Sequence, residues 1–193
     1  MAKDATFYQH YFQKGISYAQ YYENISNEAT QNPTEGYSKY VPQNFQRVKR
    51  ITKTLVLLPE LIAQLQQFKN NIRWLVISEH WCGDAAQIVP VIAAIAEQSE
   101  GKIDLRIVYR DEDTQLIDEH LTNKGRSIPK LIALDAAFDY QYEWGPRPKT
   151  PQEMVMRAKA EGMEHDKMAE IIHKWYADNK QKEIQMELKE LLV

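Results

Sequence analysis

One stretch constrains this chain more than any other: Trp74 to Pro90, reading W-L-V-I-S-E-H-W-C-G-D-A-A-Q-I-V-P. Trp74, Leu75, Val76 and Ile77 form a short apolar run rich in β-branched and aromatic types, which predicts a buried strand. Ile88, Val89, Ile92, Ala93, Ile95 and Ala96 then recur at helical spacing. A strand that becomes a helix within so few residues sets the junction beside the unpaired N–H groups and positive dipole end of the first turn. At that junction stands Cys82, the only cysteine in 193 residues. Such a position favours a thiolate.

A single cysteine excludes an internal disulfide framework and fits a reducing compartment. The formal net charge of −3 gives no general pull toward nucleic acid, so none is expected as a partner. The length suggests one domain, or one with an appended segment. The opening residues M-A-K-D-A-T-F lack the apolar run of a signal peptide, and the longest such run, Ile88 to Ala96, is too short to cross a bilayer. A cytoplasmic protein with no membrane partner is therefore expected. Nothing in the sequence sets an oligomeric state.

Upstream, residues 7 to 25 are crowded with aromatics, and Tyr11, Tyr18, Tyr22 and Ile25 share a helical face. That stripe suits either a partner surface or, as preferred here, a helix laid on the domain with its hydroxyls at the wet edge. Ser26 to Gln43 is polar, contains Pro33, Gly36 and Pro42, and reads as a loop. From Asn44, the spacing of Phe45, Val48, Thr52 and Leu55 predicts a helix. Its other face carries Arg47, Lys49, Arg50 and Lys53. These charges have no interleaved aromatics and read as a solvated face. Pro59 suits the first turn of a further helix, Glu60 to Phe68.

Downstream, Ile103, Leu105 and Ile107 alternate with polar residues as in a half-buried strand. Asp111, Glu112 and Asp113 could pass for a metal site, but Asp113 is the better fit to an N-cap, so no metal is expected. Lys130 to Leu134 and Tyr140 to Trp144 read as strands, antiparallel because so short a turn joins them. Thr150, Pro151 and Glu153 predict a capping box, with Gly162 as the helix's C-cap. One or two closing helices follow.

Trp81, Cys82, Gly83, Asp84 and Ala85, with Pro90 at a distance, resemble the W-C-G-x-C active-site segment of the thioredoxin superfamily. Ser127, Ile128 and Pro129, leading into an apolar run, resemble that family's Ile-(cis-Pro)-strand segment. Trp144-Gly145-Pro146-Arg147-Pro148 falls where the family usually has a glycine after its last strand. The three motifs together are similar to an uncharacterised bacterial branch with the strings W-C-G-D-A, R-S-I-P and W-G-P-R-P. The resemblance implies an α/β fold with a thioredoxin-like core, a mixed central sheet flanked by helices, over residues 74–162. A helical extension would precede it at 1–73 and another follow at 163–193. It implies a nucleophilic Cys82 with a docking surface of Trp81, Gly83, Asp84, Ile128 and Pro129. Where the superfamily carries its second cysteine, this chain has Ala85.

The helix dipole is expected to lower the Cys82 pKa to ~7 to 8, with Asp84 and Glu79 opposing it. His80 offers a base or thiolate partner, against the plainer reading of a solvent-exposed loop histidine, which is preferred. Asp84 is expected to pair with first-turn N–H groups. Arg147, bracketed by prolines, is expected on a basic rim of the groove, able to grip a carboxylate or to remain a plain surface residue. Because Ala85 cannot resolve a mixed disulfide, the chemistry left is monothiol exchange or redox-responsive binding with a small thiol or a partner's thiol or disulfide, without a cofactor. A scaffold module that no longer turns over is the alternative. An iron–sulfur carrier is a third, but Asp84-Ala85 does not match the C-G-F-S of monothiol glutaredoxins.

Overall fold

The computed structural model describes residues 4–192; residues 1–3 and 193, the outer ends of the two expected extensions, lie outside the described residues. The aromatic crowding near the N-terminus resolves into two helices. Asp4 accepts the Phe7 N–H to start α1 (Ala5–Lys14), and Ser17 accepts the Gln20 N–H to start α2 (Tyr18–Thr30). Between them, Ile16 pairs antiparallel with Ile107 of the sheet. Tyr8 and Tyr21 are fully buried, their hydroxyls bonded to His120 Nε2 at 3.1 Å and Ser78 Oγ at 3.0 Å. The expected stripe is split between the two helices, with Tyr11 and Ile25 buried and Tyr18 and Tyr22 half-buried. The Tyr18 hydroxyl meets that of Thr52 at the exposed edge.

The expected loop of residues 26–43 is helical at both ends. α2 runs to Thr30, and α3 (Val41–Thr54) begins with Pro42 in its first turn, where a missing N–H loses nothing. α4 (Pro59–Gln67) uses Pro59 in the same way.

The sheet holds four strands in the order β2-β1-β3-β4. β1 (Ile72–Ser78) is buried from Trp74 onward, as its unbroken apolar run requires. α5 (Gly83–Gln98) crosses from it to β2 (Ile103–Tyr109), which pairs parallel to β1. α5 is buried on nearly every side because α3 packs on it outside and the sheet lies beneath. The acidic run after β2 starts only one helical turn, α6 (Gln115–Asp118), and Asp113 accepts the Gln115 N–H beside it. β3 (Lys130–Leu134) and β4 (Tyr140–Trp144) are antiparallel, and β3 is antiparallel to β1.

α7 (Lys149–Ala160) begins before Thr150, so the expected capping box does not form. Its first N–H groups are taken from elsewhere. Glu187 and Glu183 accept the Lys149 and Thr150 N–H groups, each at 2.7 Å. Gly162 closes α7 in the left-handed conformation, with the Met163 N–H reaching Ala158. α8 (His165–Asn179) and α9 (Lys182–Glu190), which carries both glutamates, complete the chain. One main core takes Tyr8, Leu61 and Leu65 from before the sheet, and Ile172, Tyr176, Ile184 and Leu188 from after it.

Candidate functional site

Cys82 is the N-cap of α5, in extended conformation, where β1 has just left the sheet. Its Sγ accepts the Ala85 N–H at 3.5 Å and donates to the Ile128 carbonyl at 3.4 Å. The Ile128–Pro129 peptide bond is cis, as is Gly145–Pro146. Gly145 has φ +108, and a Cβ there would fall 2.5 Å from the Pro129 oxygen. Only glycine lets the end of β4 approach the Cys82 neighbourhood so closely.

The thiol is only 7% exposed. Burial pushes it up to about 12, with the charge of Asp84 adding to the rise, and the first-turn N–H groups and Arg147 fail to offset them. This corrects the expected value of ~7 to 8. A helix end is worth ~0.2 to 1.5 pKa units, whereas full burial moves a group by ~3 to 5.

Asp84 is not a helix cap. Its carboxylate takes Arg147 Nη2 at 2.5 Å and the Tyr176 hydroxyl at 2.9 Å, tying α5 to the loop after β4 and to α8. Arg147 therefore sits in the wall and not on a rim: Nη1 donates to Gln152 at 3.2 Å, and its buried Nε has no partner. His80 is not a solvent-exposed loop residue either. It is buried, its Nδ1 lies 2.7 Å from Glu28 and its Nε2 2.9 Å from the Tyr109 hydroxyl. Burial lowers its pKa, with Glu28 opposing.

A cavity of about 500 Å³ opens over Cys82. Trp81, Gly83, Asp84, Ile128 and Arg147 line it, while Pro129 and His80 do not. Trp81 stacks on Tyr37 with ring centroids 4.9 Å apart and carries the Arg110 guanidinium 4.8 Å from its ring. Among the lining residues outside the expected set are Tyr37, Arg47 on α3 and His173 on α8. A Cβ on Gly83 would meet the His173 ring at 2.8 Å and Arg47 Nη1 at 3.7 Å, so both sit against the first residue of α5. Arg47 belonged to a face that read as solvated, and no local pattern marks His173.

The charges divide unevenly. Arg110 pairs with Asp111, Arg126 with Asp118 and Arg147 with Asp84. Arg47 donates to Asn44 Oδ1 at 2.7 Å and has no carboxylate in ion-pair range among the described residues. Burial, then Arg50, lowers its pKa. Burial, then the charge of Arg47, lowers His173 to about 4, and its buried Nδ1 has no partner. No group of three or more described His, Cys, Asp or Glu residues is arranged to hold a metal ion. No described helix is long and apolar enough to cross a membrane.

A family model described as Thioredoxin matches residues 30–169. Thioredoxin 1 from Nostoc sp. is 36% identical over 70 residues, which is 36% of this chain and 63% of that protein, so the match spans less than two thirds of the curated relative. Among solved structures, a protein of unknown function from Pseudomonas aeruginosa is 17% identical with a TM-score of 0.66, covering 94% of this chain and 93% of the other. An HIV epitope-scaffold is 15% identical with a TM-score of 0.65, covering 95% and 96%. At such identities, these two structures speak to the fold alone.

Proposed function

The chain belongs to the thioredoxin family, and from that premise we propose that it is a single-thiol, redox-responsive protein in which Cys82 forms a mixed disulfide with a small disulfide or a partner protein's disulfide. The observation that carries this reading is the position of the sole thiol at the foot of a cavity, with a buried alanine at the place of a resolving thiol. Cys82 loses its proton to solvent, and the thiolate attacks one sulfur of the incoming R–S–S–R. The Cys82–S–S–R bond forms as R–S⁻ leaves with the electron pair and takes up a proton. The incoming disulfide is the oxidant. A second thiolate from outside, R′–S⁻, then attacks the R-side sulfur of the adduct, so that R′–S–S–R forms and Cys82 leaves as the thiolate and regains its proton. A reducing cytoplasm, which contains such thiols, suits the cycle.

Magnitudes favour slow occupancy over rapid turnover. A thiol at about 12 is ionised at neutral pH about 3,000-fold less than an ordinary one near ~8.5. Its greater intrinsic nucleophilicity returns roughly 40-fold of that, leaving it about two orders of magnitude slower. The same burial favours the competing reading of a binding module in which no adduct forms. Incubation with bis(2-hydroxyethyl) disulfide at pH 9, followed by intact-mass measurement, separates the two. The expected result is one adduct on the wild type, none on Cys82→Ser, and loss of the adduct on adding dithiothreitol. An unmodified wild type would leave only the binding module.

A further inference from the structure

We infer that the cavity over Cys82 selects small disulfides that carry a carboxylate, and that Arg47 takes that carboxylate; this rests on the single-thiol reading above. Charge accounting leads to it. Arg110, Arg126 and Arg147 each have an acid within ion-pair range, and Asp84 is held by both Arg147 and Tyr176. His165 and Asp166, also in the lining, lie 3.2 Å from each other at an exposed edge. Arg47 alone among the lining guanidiniums is left with a neutral amide as its partner. Arg47 feels the Asp84 charge only from beyond ion-pair range, so its half-buried guanidinium is incompletely compensated, and an incoming carboxylate would complete it.

The surroundings act in the same direction. Arg47 Nη1 approaches Gly83, the residue after Cys82, so a carboxylate held there lies close to the sulfur. The N-terminus of the sixteen-residue α5 points its dipole at the same place. His173, against the same glycine, keeps a buried nitrogen with no partner, and Arg147 keeps its Nε. A volume of about 500 Å³ fits a small molecule better than a single acidic side chain of a partner protein. The anchor is thus supplied from α3, a helix that precedes the sheet.

Two small disulfides of similar size test this: 3,3′-dithiodipropionate, which is anionic, and bis(2-hydroxyethyl) disulfide, which is neutral. Adduct formation with each is measured on the wild type, Arg47→Gln and Arg47→Lys, and each rate is divided by that of N-acetylcysteine with the same disulfide. A charge-assisted contact predicts about a tenfold preference for the anion in the wild type. It should fall toward one in Arg47→Gln and recover in part in Arg47→Lys. Equal preferences in wild type and Arg47→Gln would overturn the inference while leaving the single-thiol reading intact. If neither disulfide modifies Cys82, the single-thiol reading fails instead. Calorimetric titration with 3,3′-thiodipropionate, which has no S–S bond, then decides the carboxylate assignment separately. Binding weakened about tenfold by Arg47→Gln upholds it, and absence of binding to the wild type overturns it.

Discussion

Two histidines, His120 buried and His173 half-buried, show how differently this chain treats polar groups. His120 sits in a closed circuit: Tyr8 bonds to its Nε2 at 3.1 Å, Glu143 to its Nδ1 at 2.5 Å, and Glu143 meets Lys130, which in turn reaches Thr122 at 2.8 Å. His173 lines the Cys82 cavity with Nδ1 unpartnered, next to an arginine with no acid in ion-pair range among the described residues. Buried polar groups are nearly always satisfied, and leaving one bare costs about 1 to 3 kcal/mol. A fold that closes one circuit and leaves the other open keeps the second region incomplete by itself. The first region holds structure; the second is where the proposed reading puts the carboxylate of an incoming disulfide.

The contrast is sharpened most by Cys82 itself. If the open region leaves the thiol buried and unassisted, iodoacetamide should alkylate it about two orders of magnitude more slowly than a simple thiol at pH 7. The rate should rise about tenfold per pH unit up to roughly pH 11. Alkylation at the speed of a free thiol would mean that the helix end and Arg147 do activate the sulfur.

A pair of substitutions comes next. His120→Phe strands the buried Tyr8 hydroxyl and leaves Glu143 with Lys130 alone, and should lower stability by about 1 to 3 kcal/mol in urea unfolding. His173→Phe loses no hydrogen bond from Nδ1 and should change stability by less than the first variant. Equal losses would break the distinction between a closed and an open region.

The smallest effect is a pH dependence. The His173 pKa falls from 6.5 to about 4 on folding, first through burial and then through Arg47. Between those values the unfolded chain holds a proton that the native chain does not, so stability rises with pH across the window and is lost as pH drops from 6.5 toward 4. Urea midpoints for wild type and His173→Gln should differ least at pH 7 and separate toward pH 4.5, where the wild type loses stability that the variant keeps. His80, also lowered by burial, leaves part of the slope in the variant. Parallel profiles would remove His173 as its source.

What could be read from the residues alone follows the range of the forces involved. The β1–Cys82–α5 junction and the β3–β4 hairpin were legible because strand and helix periods are local. Arg47 was not: on α3 its charge looks like any solvated cation until packing of that helix on α5 brings it to Gly83. Asp84 fits a cap by position, and only the tertiary approach of Arg147 and Tyr176 makes it an ion-pair partner. The thiol's pKa failed for a similar reason. Its dipole is a local property, while its burial depends on segments distant in sequence.

Glu183 and Glu187 lie one turn apart on α9, and Glu187 accepts the Trp144 indole at 2.7 Å in addition to the Lys149 N–H. The last helix therefore grips both ends of the short segment that carries Arg147. A pull on the tail, or a protease cut that loosens it, would be transmitted along that segment to the wall above Cys82. Mechanically, the tail and the cavity are near neighbours, however far apart they stand along the chain.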